Sequence, residues 1–408
     1  MTRKRKIQSV LHVTKAKFPP EIRVMKEAVS LQAAGYKTAV LCPPSGEQNE
    51  YELVDNIEVF RPKILRGRSI FDRLLGEALF FSPSWFKAVR EIMTTFKPDV
   101  LHIHDIWLGR ICIKASGRQS IVLDLHENMP AAVHEYRHGY KGLFKLFMLI
   151  FQNRQRIFRY ERSLVTKSHL TLVVVEEAKR RVTREHPRVN AKRVVNVENL
   201  ESKKFISKPS SQIPKTDKSL FNILYIGGFG PHRGLDTLVL AMREVKLIYP
   251  KARLDLVGAR RSQYLEILEN LIRTNKVEDV VNLISWVDSD KVLSLIKKAH
   301  VCCVPHHSNP HTDNTIPHKL FQYMISERAV LVSSSAPLAR TVRAAKAGLI
   351  FKAGDPFDCA AKIMKLIEKK DALKVFGKNG YDYVINKGHN WEEVSEKALI
   401  NAYKELEL

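Results

Sequence analysis

Short apolar runs alternate with stretches whose apolar residues recur every three or four positions. Ser9–Val13, Thr38–Cys42, Val100–His104, Ile121–Leu125 and Leu170–Val175 have the length and continuity of strands buried on both faces. Between them, Ile22–Ala34 and Ser84–Phe96 carry the amphipathic period of helices. Residues 202–218 break the pattern: they are polar, rich in Ser, Pro and Lys, and without period, as an interdomain linker is. The alternation then restarts. Asn222–Ile226, Arg253–Val257, Val280–Ser285, His300–Pro305, Ala329–Ser333 and Gly348–Phe351 read as strands, and Leu235–Ile248, Ser262–Thr274 and Lys291–Lys298 as helices. This predicts an α/β fold of two Rossmann-like domains with parallel sheets, residues 1–201 and 219–386, joined by the linker. A cleft between two such sheets is the expected ligand site, because strand carboxyl ends and helix amino ends converge there.

The composition is that of a globular chain: 408 residues, 45% hydrophobic and 27% charged, with a length that calls for more than one domain. The net charge of +24 adds something, since it favours polyanionic company such as phosphorylated small molecules, anionic headgroups or nucleic acid. Five cysteines, an odd count without C-x-x-C spacing, argue against a zinc ribbon and a disulfide framework, which fits a reducing cytoplasm. The apolar stretch after the basic start, Ile7–Val13, is too short and polar for a signal peptide, and no run reaches the roughly 18 to 20 apolar residues of a membrane span.

Three segments offer chemistry. The first is a strand, Gly-rich turn and helix start over Leu224–Leu235, with Gly227, Gly228, Gly230 and Arg233. Glycines admit a ligand close to the backbone, a helix start favours an anion, and a guanidinium forks onto phosphate. Its spacing is neither that of a P-loop nor G-x-G-x-x-G, so a tight turn with a solvated arginine is the competing reading. The second is a group of histidines and carboxylates at strand ends: His102, His104 and Asp105, then His126 and Glu127. A histidine at the carboxyl end of a parallel strand faces the cleft, where it can bond or move a proton. A metal site and a satisfied core histidine are the other readings here. The third is basic and apolar: between residues 137 and 169 eight Lys or Arg face a single Glu, and 141–162 combine the cations with Leu, Phe, Met and Ile. Such a helix can lie on an anionic bilayer, or bury its apolar side in the core with the arginines solvated.

The order of motifs narrows these choices. Tyr225-Ile-Gly-Gly228, Arg233-Gly-Leu-Asp-Thr, Leu254-Asp-Leu-Val-Gly258, Ile284-Ser-Trp-Val287 and Ala299-His-Val-Cys-Cys-Val-Pro305 follow one another as in the nucleotide-sugar domain of retaining glycosyltransferases of the GT-B fold. Family 4 is the member this succession resembles. Pro19-Pro-Glu-Ile-Arg23, Lys97-Pro-Asp-Val-Leu-His-Ile-His-Asp105 and Leu123-Asp-Leu-His-Glu127 are similar to that family's acceptor-side domain. The resemblance covers nearly the whole chain. It implies that residues 387–408, with Trp391, form a helix crossing back to the first domain. The donor would be gripped by Gly227, Gly228, Arg233, Asn314, Thr315, Ile316, Lys319 and Gln322, and the acceptor side formed by His104, Asp105, His126 and Glu127. His126, Arg233 and Lys319 would be the catalytic groups. Family members usually carry two glutamates eight positions apart, the second holding the donor ribose; the matching positions here are the amides Asn314 and Gln322. An amide still exchanges hydrogen bonds with a hydroxyl.

The resemblance further implies a UDP- or GDP-linked sugar as substrate, no cofactor, no bound metal and no nucleic acid. It implies a glycan or lipid-linked acceptor, and a cytoplasmic enzyme in peripheral contact with the inner face of the membrane through 141–162. Two other readings remain: a sugar-nucleotide epimerase on the same fold, and a non-catalytic basic binding protein on that frame.

Overall fold

The computed structural model describes residues 6–46, 48–136, 142–207 and 219–406; residues 137–141, at the head of the basic segment, and 208–218 of the linker lie outside them. The chain divides into two compact units, residues 1–198 with 395–408, and residues 199–394.

The first unit holds β1 (Ser9–Val13), β2 (Lys37–Leu41), β3 (Tyr51–Val54), β4 (Ile57–Phe60), β5 (Val100–His104), β6 (Ser120–Leu125), β7 (Leu170–Val173) and β8 (Val194–Asn196). They form one sheet in the order β3-β4-β2-β1-β5-β6-β7-β8. The sheet is parallel as expected, with one antiparallel pair at its edge. Strands β3 and β4 are antiparallel, a hairpin at one edge whose two-residue turn places Asp55 and Asn56 at φ 50° and 63°. The central strands β1 and β5 are buried along their whole length, as continuous apolar runs between two helical layers must be. Helices form where caps allow: Ser82 accepts from Trp85 N at the start of Pro83–Phe96, with proline in the first turn. The helix Ile22–Ala33 buries Val24, Ala28 and Leu31, and on the same face Arg23 and Glu27. The basic segment forms two helices, Gly142–Phe151 and Arg154–Lys167, rather than one.

The second unit holds β9 (Phe221–Ile226), β10 (Ala252–Ala259), β11 (Val281–Ser285), β12 (Val301–Val304), β13 (Ala329–Ser333) and β14 (Gly348–Phe351), all parallel, in the order β11-β10-β9-β12-β13-β14. Ile223 and Tyr225 of β9 pack with Leu238 and Met242 of the helix Leu235–Ile248 and with Leu254 and Leu256 of β10. Each such side chain contributes about 1.5 to 3 kcal/mol on burial. The turn after β9 therefore sits on a rigid base.

The chain returns to the first unit at Ser395, not at 387. Trp391 N donates to the Glu201 carbonyl (2.9 Å) and Glu392 accepts from Lys203 N (3.1 Å), which ties 391–392 to the start of the second unit. Ser395 Oγ donates to the Glu198 carbonyl (2.7 Å), and the helix Glu396–Leu406 buries Tyr403 beside Tyr36 in the first unit. The first unit accordingly ends at Glu198 rather than at 201. All five cysteines are free and buried.

Candidate functional site

In the second unit β9 stops at Ile226 and the chain turns at Gly227, whose φ of 141° is closed to other L-residues. A side chain there would also collide with the ammonium of Lys319. The next three amides, Gly228, Phe229 and Gly230, donate to nothing among the described residues, and open space lies beside Gly228. The Gly228 carbonyl accepts from Tyr225 Oη (2.8 Å). After a short turn, Pro231–Arg233, the helix Leu235–Ile248 begins behind Gly234 without a side-chain cap. Successive unpaired amides form a cradle of positive potential.

Two cations stand at this turn. Arg233 points inward, its NH1 3.2 Å from His306 Nε2. Lys319 is 7% exposed and lies over the Tyr225 ring, 3.9 Å from its centroid. Among the described residues neither pairs with a carboxylate. Burial, then the nearby Arg233 charge, push the Lys319 ammonium well below its usual pKa. The same two causes hold His306 neutral, and burial followed by Arg233 drives His232 down to about 2. The sequence reading missed His232, His306 and His311, since nothing in their spacing marks them; they line the floor of this turn.

The loop ahead of the helix Lys319–Ile325 holds the remaining predicted donor residues. Asn314, half-buried, donates from Nδ2 to the Pro310 carbonyl (2.8 Å) within the loop. Thr315 is extended, and the Ile316 carbonyl accepts from Asn199 Nδ2 (3.3 Å). Gln322 lies three residues after Lys319 and donates from Nε2 to Glu201 Oε2 (2.7 Å).

The first unit gathers the predicted acceptor-side residues at the carboxyl ends of β5 and β6. Asp124, fully buried, takes Arg23 as a fork, Nε on Oδ2 (2.8 Å) and NH2 on Oδ1 (2.7 Å). His126 Nε2 donates to Asp124 Oδ2 (2.6 Å), and its backbone amide donates to Asp105 Oδ1 (3.2 Å). Burial opposes the charged imidazole, yet Asp105, Asp124 and the hydrogen bond to Asp124 together raise His126 to about 10. The two neighbouring carboxylates thus favour the charged imidazole, which donates to Asp124. Burial pushes Asp105 up to about 6 and His104 down to about 4. Asp105 sits at φ 60°, in the left-handed region that Asp tolerates better than most side-chain-bearing residues. Glu127, half-buried, follows at the strand's end.

Behind these lies a chain the sequence reading did not assemble. His104 Nε2 is 3.0 Å from His12 Nδ1, His102 Nε2 is 3.2 Å from Glu27 Oε2, Glu27 Oε1 is 3.0 Å from Arg23 NH2, and Tyr403 Oη is 2.8 Å from His102 Nδ1. His12, Glu27, His102 and His104 bring possible metal-ligating atoms close together. His102 stacks on His12 and His104 with centroids 4.6 Å apart and interplanar angles of 29° and 13°. A signal for Arg23 and Glu27 did exist: two charges at i and i+4 inside the apolar stripe of a helix.

Comparison with known proteins agrees with this architecture. Residues 21–199 match the family described as Glycosyltransferase Family 4, and residues 206–383 match Glycosyl transferases group 1. A curated relative, an uncharacterized glycosyltransferase of Methanocaldococcus jannaschii, is 24% identical over 170 residues, which is 42% of this chain and 44% of that protein; the match thus spans less than half of its length. Sucrose-phosphate synthase of Thermosynechococcus elongatus superposes with a TM-score of 0.76 at 17% identity, over 98% of both chains. HepE of Anabaena in complex with UDP-glucose gives 0.70 at 13%, over 97% of this chain and 98% of that one. WaaG, a glycosyltransferase involved in lipopolysaccharide biosynthesis, gives 0.69 at 15%, over 96% and 98%. With its first half matching family 4 and its second half matching group 1, the chain is a glycosyltransferase of the GT-B fold.

Proposed function

We propose that this enzyme transfers a sugar, with retention of anomeric configuration, from a nucleoside diphosphate sugar to a glycan or lipid-linked acceptor. The observation that carries the reading is the pair Arg233 and Lys319, two inward cations at the Gly227 turn without a carboxylate partner among the described residues. Holding an unpaired cation out of water costs folding energy, and a bound diphosphate offsets that cost. When the anomeric carbon–oxygen bond breaks, its electron pair goes to the diphosphate oxygen. The amides of residues 228–230, Arg233 and Lys319 stabilise that charge. The acceptor hydroxyl oxygen bonds to the anomeric carbon on the same face, and its proton passes to the leaving phosphate oxygen, so no side-chain nucleophile or cofactor is needed. Gln322 bonds the ribose, while Thr315 and Ile316 border the phosphates. His126 donates a hydrogen bond on the acceptor side, with His104, Asp105 and Glu127 around it. The UDP-glucose complex of HepE supports a UDP-linked donor, and the pathway named for WaaG supports a lipid-linked acceptor.

Contact with an anionic membrane surface belongs to the same reading. Leu146, Leu149 and Ile150 of the helix Gly142–Phe151 are exposed, and the helix Ile70–Leu79, which packs on it, exposes Ile70 (76%) and Phe71 (71%). Arg154, Arg159 and Arg162 are exposed on the next helix. No described helix is long and apolar enough to cross a membrane.

Calorimetric titration with UDP and GDP, paired with release of nucleoside diphosphate from their sugars, tests the proposal. Arg233→Ala should lower turnover by roughly 100-fold or more while leaving the melting temperature nearly unchanged. A wild-type enzyme that binds neither UDP nor GDP, or an Arg233→Ala variant with full turnover, would refute it.

A further inference from the structure

Resting on that donor reading, we infer that Glu201 is the positioning residue of the donor site: it fixes the Gln322 amide so that Oε1 accepts a hydroxyl of the diphosphate-bearing ligand. Glu201 is 3% exposed and Gln322 9%. The Glu201 carboxylate is itself oriented, because Oε1 takes the Ser202 amide (2.8 Å) while Oε2 faces Gln322 (2.7 Å). Its backbone is held as well: the Glu201 carbonyl takes Trp391 N, and the neighbouring Asn199 reaches the Ile316 carbonyl. A carboxylate only accepts hydrogen bonds, so the amide atom it meets must be the NH2 group of Gln322. That leaves Oε1 on the other side of the amide. Among the described residues Oε1 has no hydrogen-bond partner, and it is not sealed from solvent.

Helical spacing places this acceptor. Gln322 follows Lys319 by three residues, so the two share a face of one helix. Lys319 already reaches the Gly227 turn. A cation and, beside it, an acceptor of fixed direction read a phosphate with a hydroxyl nearby. A nucleoside diphosphate has that chemistry through its ribose, whereas inorganic pyrophosphate has the phosphates alone. Without Glu201 a glutamine amide turns freely and offers donor or acceptor indifferently; the buried carboxylate makes it acceptor-only toward the ligand.

The experiment measures affinities by calorimetry for three probes: UDP or GDP, whichever the wild type binds, its 2′,3′-dideoxy analogue, and inorganic pyrophosphate. Wild type should prefer the ribose form over the dideoxy form by about fivefold. Glu201→Gln should erase that preference and leave pyrophosphate within about twofold of wild type. Gln322→Glu brings two carboxylates together and should weaken the nucleoside diphosphate by about tenfold or more. The exchanged pair Glu201→Gln with Gln322→Glu restores one carboxylate and one amide and should recover most of that loss. The ratio between ligands is the readout, so a partly unfolded variant still reports. An unchanged preference in Glu201→Gln, an equal loss for all three probes, or an exchanged pair no better than Gln322→Glu would overturn the assignment. Wild type binding no nucleoside diphosphate would instead overturn the donor reading, and this one with it.

Discussion

Replacing Lys319 by methionine should make the enzyme more stable and its ligand binding worse. The lysine is 7% exposed, sits on the Tyr225 ring, and has no carboxylate partner among the described residues. Methionine keeps the chain's volume and removes the charge. Burying an uncompensated ammonium costs several kcal/mol before any aromatic contact offsets it. A stabilisation of about 2 kcal/mol is therefore expected, which for a unit of this size is a melting point higher by roughly 4 to 8 °C. The pH dependence carries the sign. Burial and Arg233 set the folded pKa of Lys319 well below its unfolded value. Between those two values the unfolded chain binds more protons, so wild-type stability should rise with pH across that window, by up to about 1.4 kcal/mol per unit. Below the folded value both states hold the proton and the lysine's cost is greatest. The Lys319→Met variant should lack this slope. Diphosphate binding should move the other way, losing about 3 kcal/mol, near 100-fold, when one of the two cations goes. Wild type should also take up protons on binding near the upper part of the window, because a bound diphosphate favours the ammonium. Denaturant melts from pH 6 to 10 and calorimetry in two buffers measure all of this. A variant less stable than wild type, or one that binds the diphosphate equally well, would refute the reasoning.

Gly227→Ala puts a methyl group against Lys319 in a backbone conformation closed to alanine; it should destabilise by about 1 to 3 kcal/mol and abolish diphosphate binding, and a melt with a UDP titration checks both. Arg23→Ala leaves Asp124 buried without its fork and should cost about 3 to 5 kcal/mol in denaturant melts; a smaller loss in Arg23→Ala combined with Asp124→Asn would identify the stranded charge as the cause. The folded pKa of His126 is raised to about 10, so its contribution is fully present below the unfolded value of about 6.5 and lost as pH rises through 10. Wild type should therefore lose stability relative to His126→Asn over that interval, and parallel curves would contradict the assigned charge.

The sheet interiors were legible because strands buried on both faces are continuous apolar runs. β1, β5, β13 and β14 begin and end where the hydrophobic pattern places them. The hairpin β3–β4 was not, since Glu52 and Glu58 interrupt its apolar residues and its edge position asks for little burial. Its turn did leave a trace: Asp55-Asn56, both at positive φ, is a two-residue hairpin signal. The two-helix form of the basic segment rests on Asn153, which caps the second helix by accepting from Arg156 N. That break is local and could have been read.

The charged sites divide differently. Arg233 and Gly227 were legible because strand, glycine turn and helix are neighbours in sequence. Arg23 meets Asp124 across 101 positions, and Glu201 meets Gln322 across 121; no local pattern announces either pair. What the structure adds is a contrast in compensation. In the first unit each of these buried charges has an opposite one in hydrogen-bond contact, Asp124 with Arg23 and His126, and Glu161 with Arg181. In the second unit half-buried Arg233 meets His306 and buried Lys319 meets the Tyr225 ring, and among the described residues neither has a carboxylate partner. That is the arrangement the proposed donor diphosphate requires. A donor diphosphate, as proposed, would supply the anion at the end of β9, whereas Asp124 in the first unit already has Arg23 and His126 in hydrogen-bond contact.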